Sequence, residues 1–348
     1  MRIVKSASHS QVALTRRVCI APLAVAEERK LRRDALSAPQ RELDEMIPDV
    51  PHTYVISITT FDADGEFDEP AYRSHLQRMA AAGVGVYVAG AGSGGGYTLN
   101  SEENQRVLNI AVDDLKGKVP VRAMGHEPRV VEDMLEFVDM AENAGVDAVQ
   151  IYSVEPGHLY KPSEGEIDQY LSTVLDHCSI PAVLSTHFSV GYVIPPDLVE
   201  KFAKKYDHFI GMTVTQPDAR YLIGLTEKHR DRLEFITGGG GNFLQTLAQG
   251  AHGCGTSEAN TAPKLVQSLF DLYNEGDLVR LMDRYKTYIG LTYGTMAHGY
   301  VSGVKAANNV LGVAGGYPRL PRLPVPEESY PAIEKMLDDL GIREIEGL

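Results

Sequence analysis

The chain has 348 residues, of which 43% are hydrophobic and 23% charged, a balance too apolar for disorder and ordinary for a globular enzyme. Lys+Arg 33 against Asp+Glu 47 gives a formal net charge of -14, which argues against nucleic acid or an anionic membrane as main partner, because both need a basic footprint. An anionic small-molecule substrate stays open, since a local site can be basic on an acidic protein.

Cys19, Cys178 and Cys254 are scattered and odd in number. They form neither a disulfide framework nor a paired zinc-ligand pattern, and a reducing, cytoplasmic location fits. The apolar run from Val18 to Ala26 is interrupted by Pro22, far short of the roughly 20 residues that a membrane span requires. Residues 1–50 show no regular alternation and read as an N-terminal extension, with a helix expected between Glu27 and Met46.

From Thr53 onward, short β-branched runs alternate with amphipathic stretches. The runs are Tyr54–Thr60, Gly85–Gly90, Val119–Met124, Ala148–Ser153, Ala182–His187, Phe209–Thr215, Leu233–Thr237 and Gly253–Ser257. Between them lie helix-like segments such as Pro70–Ala82, Val130–Ala144, Glu164–Cys178, Asp197–Lys205 and Asp218–Lys228. Strands alternating with helices imply a parallel sheet, and eight such units favour closure into an α/β (β/α)8 TIM barrel over an open sheet. The barrel is assigned to residues 51–260. Residues 261–348 then form a C-terminal helical addition, with helices at Ala262–Glu275, Asp277–His298, Val304–Leu311 and Tyr330–Leu340 around a Pro-rich stretch at 318–326.

Several segments resemble the dihydrodipicolinate synthase / N-acetylneuraminate lyase family. Thr59-Thr60-Phe61 with Asp64-Gly65 is similar to its Thr-Pro-Phe…Asp-Gly opening. Gly92-Ser93-Gly94-Gly95…Leu99…Glu102-Glu103 is similar to its Gly-Thr-Thr-Gly-Glu…Leu…Glu-Glu signature. Gly253 to Pro263, Gly276-Asp277, Val304-Lys305-Ala306-Ala307 and Arg319-Leu320-Pro321 resemble its strand-eight segment and its tail. The likeness extends over about 53–326. It implies a homotetrameric or homodimeric barrel with no cofactor, in which a strand-six lysine forms an imine with a 2-keto acid. It further implies a strand-five tyrosine that shuttles protons and a hydroxyl-bearing loop after strand two that holds a carboxylate.

On that resemblance the lysine position is Thr213, the strand-five tyrosine position is Ser185, and the signature glutamate has become Gly95. An imine needs an amine nucleophile, which a threonine hydroxyl cannot supply. The chain therefore reads as a lyase-like enzyme without an enzyme imine at Thr213. Two alternatives stay open: a 2-keto-acid aldolase with a relocated lysine (Lys161, Lys204, Lys205 or Lys305), and a non-catalytic ligand-binding barrel.

Barrel enzymes work at the C-terminal ends of their strands. The catalytic candidates there are His187, Ser185, Thr213 and His158; the substrate-binding candidates are Thr59, Thr60, Gly92, Ser93, Thr215, Gly239 and Ser257. His187 is suited to acid/base work by an unperturbed pKa of about 6.5, though it could equally bond a neighbouring loop. The glycine runs Gly90–Gly96 and Gly238–Gly241 offer backbone amides to an anion, or merely permit tight turns. His126, Glu155, His187 and Glu258 would suit a divalent ion by type. They lack metal-motif spacing, so no metal is assigned.

Overall fold

A computed structural model describes residues 52–348, apart from Leu159 and Pro217. The expected helix at Glu27–Met46 lies outside the described residues. Eight parallel strands close in sequence order: β1 His52–Ile56, β2 Gly85–Val88, β3 Val121–Ala123, β4 Ala148–Ile151, β5 Ala182–His187, β6 Phe209–Thr215, β7 Glu234–Gly238 and β8 Gly253–Thr256. Closure is direct, with β1 and β8 paired in the register Tyr54↔Gly255.

Helices α1 Glu69–Ala81, α2 Ser101–Leu115, α3 Val131–Ala144, α4 Glu164–His177, α5 Pro196–Lys205, α6 Ala219–His229, α7 Phe243–Ala248 and α8 Pro263–Glu275 surround the barrel. Local chemistry starts them: α2 and α4 each open with a capping box, Asn100 with Glu103 and Ser163 with Glu166. Each buries one stripe; α5 turns Leu198, Val199 and Phe202 inward and leaves Lys204 and Lys205 exposed. The tail adds α9 Leu278–Met296, α10 Val301–Leu311, α11 Tyr330–Asp339 and the short α12 Ile342–Glu346. Among the described residues no helix is long and apolar enough to cross a membrane.

The first expected run, Tyr54–Thr60, proves too long. The strand stops at Ile56, and the next residues turn outward to meet other partners: the Thr59 amide donates to Gly94 O at 3.2 Å and the Thr60 hydroxyl to Asp68 O at 2.8 Å. Asn260 locks this turn to the far side of the closure. Its Oδ1 accepts from the Ile58 amide at 2.9 Å, and its Nδ2 donates to Ile56 O at 2.9 Å and Ser257 O at 2.8 Å. A buried amide with both ends paired is a specific staple between β1 and β8.

The lower barrel is filled by charge. Arg122 on β3 meets Glu234 on β7 at 2.5 Å, and both side chains are sealed from solvent. His52 Nε2 lies 3.1 Å from the other Glu234 oxygen, and the Arg122 guanidinium sits 4.4 Å from the Tyr54 ring centroid. Burial alone would raise the Glu234 carboxyl; Arg122 and His52 instead hold it down at about 2. Tyr54 fits because β2 begins with a glycine: a Cβ on Gly85 would come within 2.6 Å of its ring.

Removing one member of this pair strands the other charge inside. Glu234→Leu should cost about 3–5 kcal/mol, whereas the double change with Arg122→Met should regain most of it. Chemical denaturation of both variants checks this; a single variant within about 0.5 kcal/mol of wild type would contradict it.

Candidate active site

Above the charged layer, Ile56, Tyr87, Met124, Tyr152 and Ile236 form an apolar floor. A cavity of about 910 Å³ opens on it at the C-terminal ends of the strands. Its polar walls come from strand ends: Gln150 of β4, Ser185 and His187 of β5, Thr213 and Thr215 of β6, and Ser257 just after β8. Tyr293 and Met296 of α9, with Tyr300 and Arg322 from the tail, overhang it.

Alternation along each strand explains the selection, because every second side chain faces inward. Ser185 and Thr213 are paired in register across β5 and β6, so they are presented side by side. The Thr213 hydroxyl donates to Gln150 Oε1 at 2.7 Å. Gln150 is fully buried, and among the described residues its Nε2 reaches no partner at hydrogen-bond distance, the Tyr152 hydroxyl lying close enough to feel it. A buried unpaired amide N–H costs about 1–3 kcal/mol and marks a place where a ligand acceptor would fit. The buried Ser257 Oγ is likewise without a hydrogen-bond partner. Thr215 keeps its rotamer because Gly238 faces it; a Cβ there would approach its Oγ1 to 2.3 Å.

His187 is half-buried, stacked on Phe188 with ring centroids 4.6 Å apart. Its Nδ1 accepts from the Ser189 amide at 3.1 Å and lies 2.6 Å from the Ser189 hydroxyl. Since an amide N–H can only donate, the neutral ring carries its proton on Nε2, which is the atom left for a ligand. Burial lowers the His187 pKa, opposed by the nearby Glu127 carboxylate, so the ring is neutral at pH 7.

In the loop after β2, Gly92 and Ser93 line the cavity. Ser93 spends its hydroxyl on Ile56 O at 2.8 Å, so its side chain anchors the loop instead of facing a ligand. Among the described residues the Gly92 and Ser93 amides donate to no acceptor. The backbone, rather than a hydroxyl, is the available anion donor here.

The structure thus gathers His187, Ser185, Thr213, Gly92, Ser93, Thr215, Gly239 and Ser257 around one cavity. Three expected residues fall elsewhere. Thr59 and Thr60 do not line it, because the chain turns away at Ile56 and both are buried behind the wall. His158 is exposed and lines a neighbouring groove of about 1200 Å³ between α2, α3 and the loop after β4, together with His126 and Glu155. That separates the two members of the suggested metal set that lie in the groove from His187 and Glu258. Among the described residues no three His, Cys, Asp or Glu side chains converge as a metal site.

No lysine lines the cavity among the described residues. Lys161, Lys204 and Lys205 are exposed. Lys305 is buried, but its Nζ donates to Thr59 O at 2.6 Å and to Tyr317 O at 2.9 Å, outside the cavity. Burial first, and then Arg319 and Arg322, bring its pKa down to about 7.

Sequence reading missed Gln150, Tyr87, Glu127, Tyr293, Tyr300 and Arg322 as lining residues. For Gln150 a signal existed: a polar residue in the middle of the apolar run Ala148–Ile151. Tyr300 carries the uncommon backbone φ of 53°, which no sequence pattern announces.

The chain is 29% identical over 287 residues to the 4-hydroxy-tetrahydrodipicolinate synthase of Methanopyrus kandleri, covering 82% of this chain and 94% of that protein. It is 28% identical over 290 residues to an uncharacterized DapA-like lyase of Halobacterium salinarum, covering 82% of this chain and 92% of that protein. A crystal structure of dihydrodipicolinate synthase superposes with a TM-score of 0.75 at 25% identity, over 84% of this chain and 99% of the other. Residues 52–340 match the Dihydrodipicolinate synthetase family, and the chain belongs to that family.

Proposed function

We propose that this member of the family is a lyase that acts on a small carboxylate- or carbonyl-bearing metabolite without forming an imine at Thr213. The observation that carries this reading is Thr213 itself. It projects from β6 into the cavity, bonds Gln150 Oε1 at 2.7 Å, and has no lysine beside it among the lining residues. A hydroxyl of ordinary acidity cannot replace an amine as imine former. It can take part in a hydrogen-bond network that polarises an oxygen on the substrate.

The donors for such work are to hand. The Gln150 amide and the Ser257 hydroxyl are buried, beside the Tyr152 and Tyr300 hydroxyls but without a partner at hydrogen-bond distance among the described residues, and a substrate carbonyl or carboxylate would complete both. The Gly92 and Ser93 amides would take a carboxylate. His187, neutral and with Nε2 unengaged, would move the proton. The apolar floor excludes water below the reacting atoms and strengthens each of these bonds.

A lysine-dependent reaction at another position has one chemically suitable amine, Lys305, whose pKa of about 7 suits a nucleophile. Its two carbonyl partners turn it away from the cavity, which favours the imine-free reading. We further propose a cytoplasmic homodimer or homotetramer, supported by its family membership and by Cys178 and Cys254, which are buried and free among the described residues.

Borohydride treatment in the presence of pyruvate or a related 2-keto acid should leave the protein mass unchanged; a reduced covalent adduct would sink this reading. His187→Ala should lower kcat by about 10²–10⁴-fold with the fold intact, and undiminished turnover would remove its role. The acid limb of kcat/KM should have its midpoint below the ordinary histidine value of about 6.5, because burial disfavours the charged ring; a midpoint above that value would contradict the assignment.

A further inference from the structure

The Pro-rich segment between α10 and α11 carries two arginines three residues apart, and the fold treats them differently. Arg319 is neutralised: its Nη1 and Nη2 donate to the two Glu103 oxygens at 2.8 and 2.7 Å, and its Nε donates to Gly65 O at 2.9 Å. Arg322 lines the cavity with its guanidinium carbon 4.8 Å from the Tyr97 ring centroid. Among the described residues its guanidinium has no carboxylate within ion-pair distance. It is the one Lys or Arg among the cavity-lining residues described.

Building on the reading above, we propose that Arg322 is the anion anchor of the cavity, pairing with a carboxylate or phosphate group of the substrate. Four physical points converge on this. First, a guanidinium presents five N–H donors in a planar fork matched to such groups. Second, its guanidinium lies over the Tyr97 ring, which supports one face of it. Tyr97 belongs to the same loop as Gly92 and Ser93, so the charge and the unengaged amides lie on one side of the mouth.

Third, the chain has a formal net charge of -14, so an anion approaching the mouth meets an unfavourable overall field and needs a local cation. Fourth, with Arg319 offset by Glu103, Arg322 is left as a charge close enough to Lys305 to help, after burial, to lower its pKa. An incoming anion relieves that repulsion. Two carboxylates, Glu127 and Glu258, also line the cavity. Glu258 is occupied on its own side, accepting from the Tyr288 hydroxyl at 3.0 Å. Neither carboxylate comes within 4.0 Å of the Arg322 guanidinium among the ion pairs of the described residues.

The full chain titrated calorimetrically with pyruvate, succinate and inorganic phosphate tests this directly. At least one of these anions should bind at millimolar concentration, and the preferred one tells carboxylate from phosphate. Arg322→Gln should weaken that binding by about tenfold or more, while Arg322→Lys, which keeps the charge but loses the planar fork, should fall between Arg322→Gln and wild type. Circular dichroism of each variant separates lost binding from lost folding. Equal affinity of Arg322→Gln and wild type overturns the proposal, as does wild-type protein that binds none of the three. A borohydride adduct would defeat the imine-free chemistry but leave this titration untouched, so the two failures are distinguishable.

Discussion

One guanidinium and one carboxylate, both sealed inside the barrel, set the height of its floor. Two charges in so dry a place persist only because they meet at 2.5 Å and share their remaining valences with His52 and the Tyr54 ring. Arg122 and Glu234 occupy the inward positions of β3 and β7 that apolar side chains would otherwise fill. The aromatic and aliphatic floor of Tyr87, Tyr152, Met124 and Ile236 rests above them. The cavity is thereby confined to inward positions toward the C-terminal ends of the strands, and these are where Gln150, Ser185, Thr213 and His187 lie.

At that height the decisive question is what kind of donor faces a carbonyl. An amine would capture it covalently and use the resulting cation as an electron sink. On the proposed imine-free reading, Thr213 with Gln150 would stabilise developing charge by hydrogen bonding, which works best when the donors are fixed in advance and water is excluded. The first condition is met on the protein side. Gln150 is fully buried and tied by its oxygen to Thr213, so its amide is already oriented. Tyr300 overhangs the mouth on a backbone φ of 53°, a conformation that costs about 1–3 kcal/mol and persists only where the surroundings enforce it.

The barrel was largely legible in the sequence. The runs Ala182–His187 and Phe209–Thr215 coincide with β5 and β6, because a period of two with β-branched residues leaves little latitude. The lining of the cavity was legible where it sits on such strands, as with His187 and Thr213. It was obscure where it depends on loops. Thr59 and Thr60 continue a strand-like pattern, yet the Asn260 staple and the bond to Asp68 O pull the chain outward after Ile56. His158 follows β4, but its loop runs outward to a separate groove. Arg322 enters from the Pro-rich tail that follows α10, far in sequence from the barrel strands, and only tertiary packing brings it over Tyr97.

Imine-free chemistry is tested most directly by the state of a keto carbon bound in this cavity. Nuclear magnetic resonance of pyruvate carrying carbon-13 at its carbonyl, mixed with stoichiometric protein, reads that state without any reductant. The resonances of the free ketone and its hydrate should persist, shifted at most by reversible contact. A new resonance in the imine range, slow to exchange and lost on unfolding, would mean that an amine reaches the carbonyl after all.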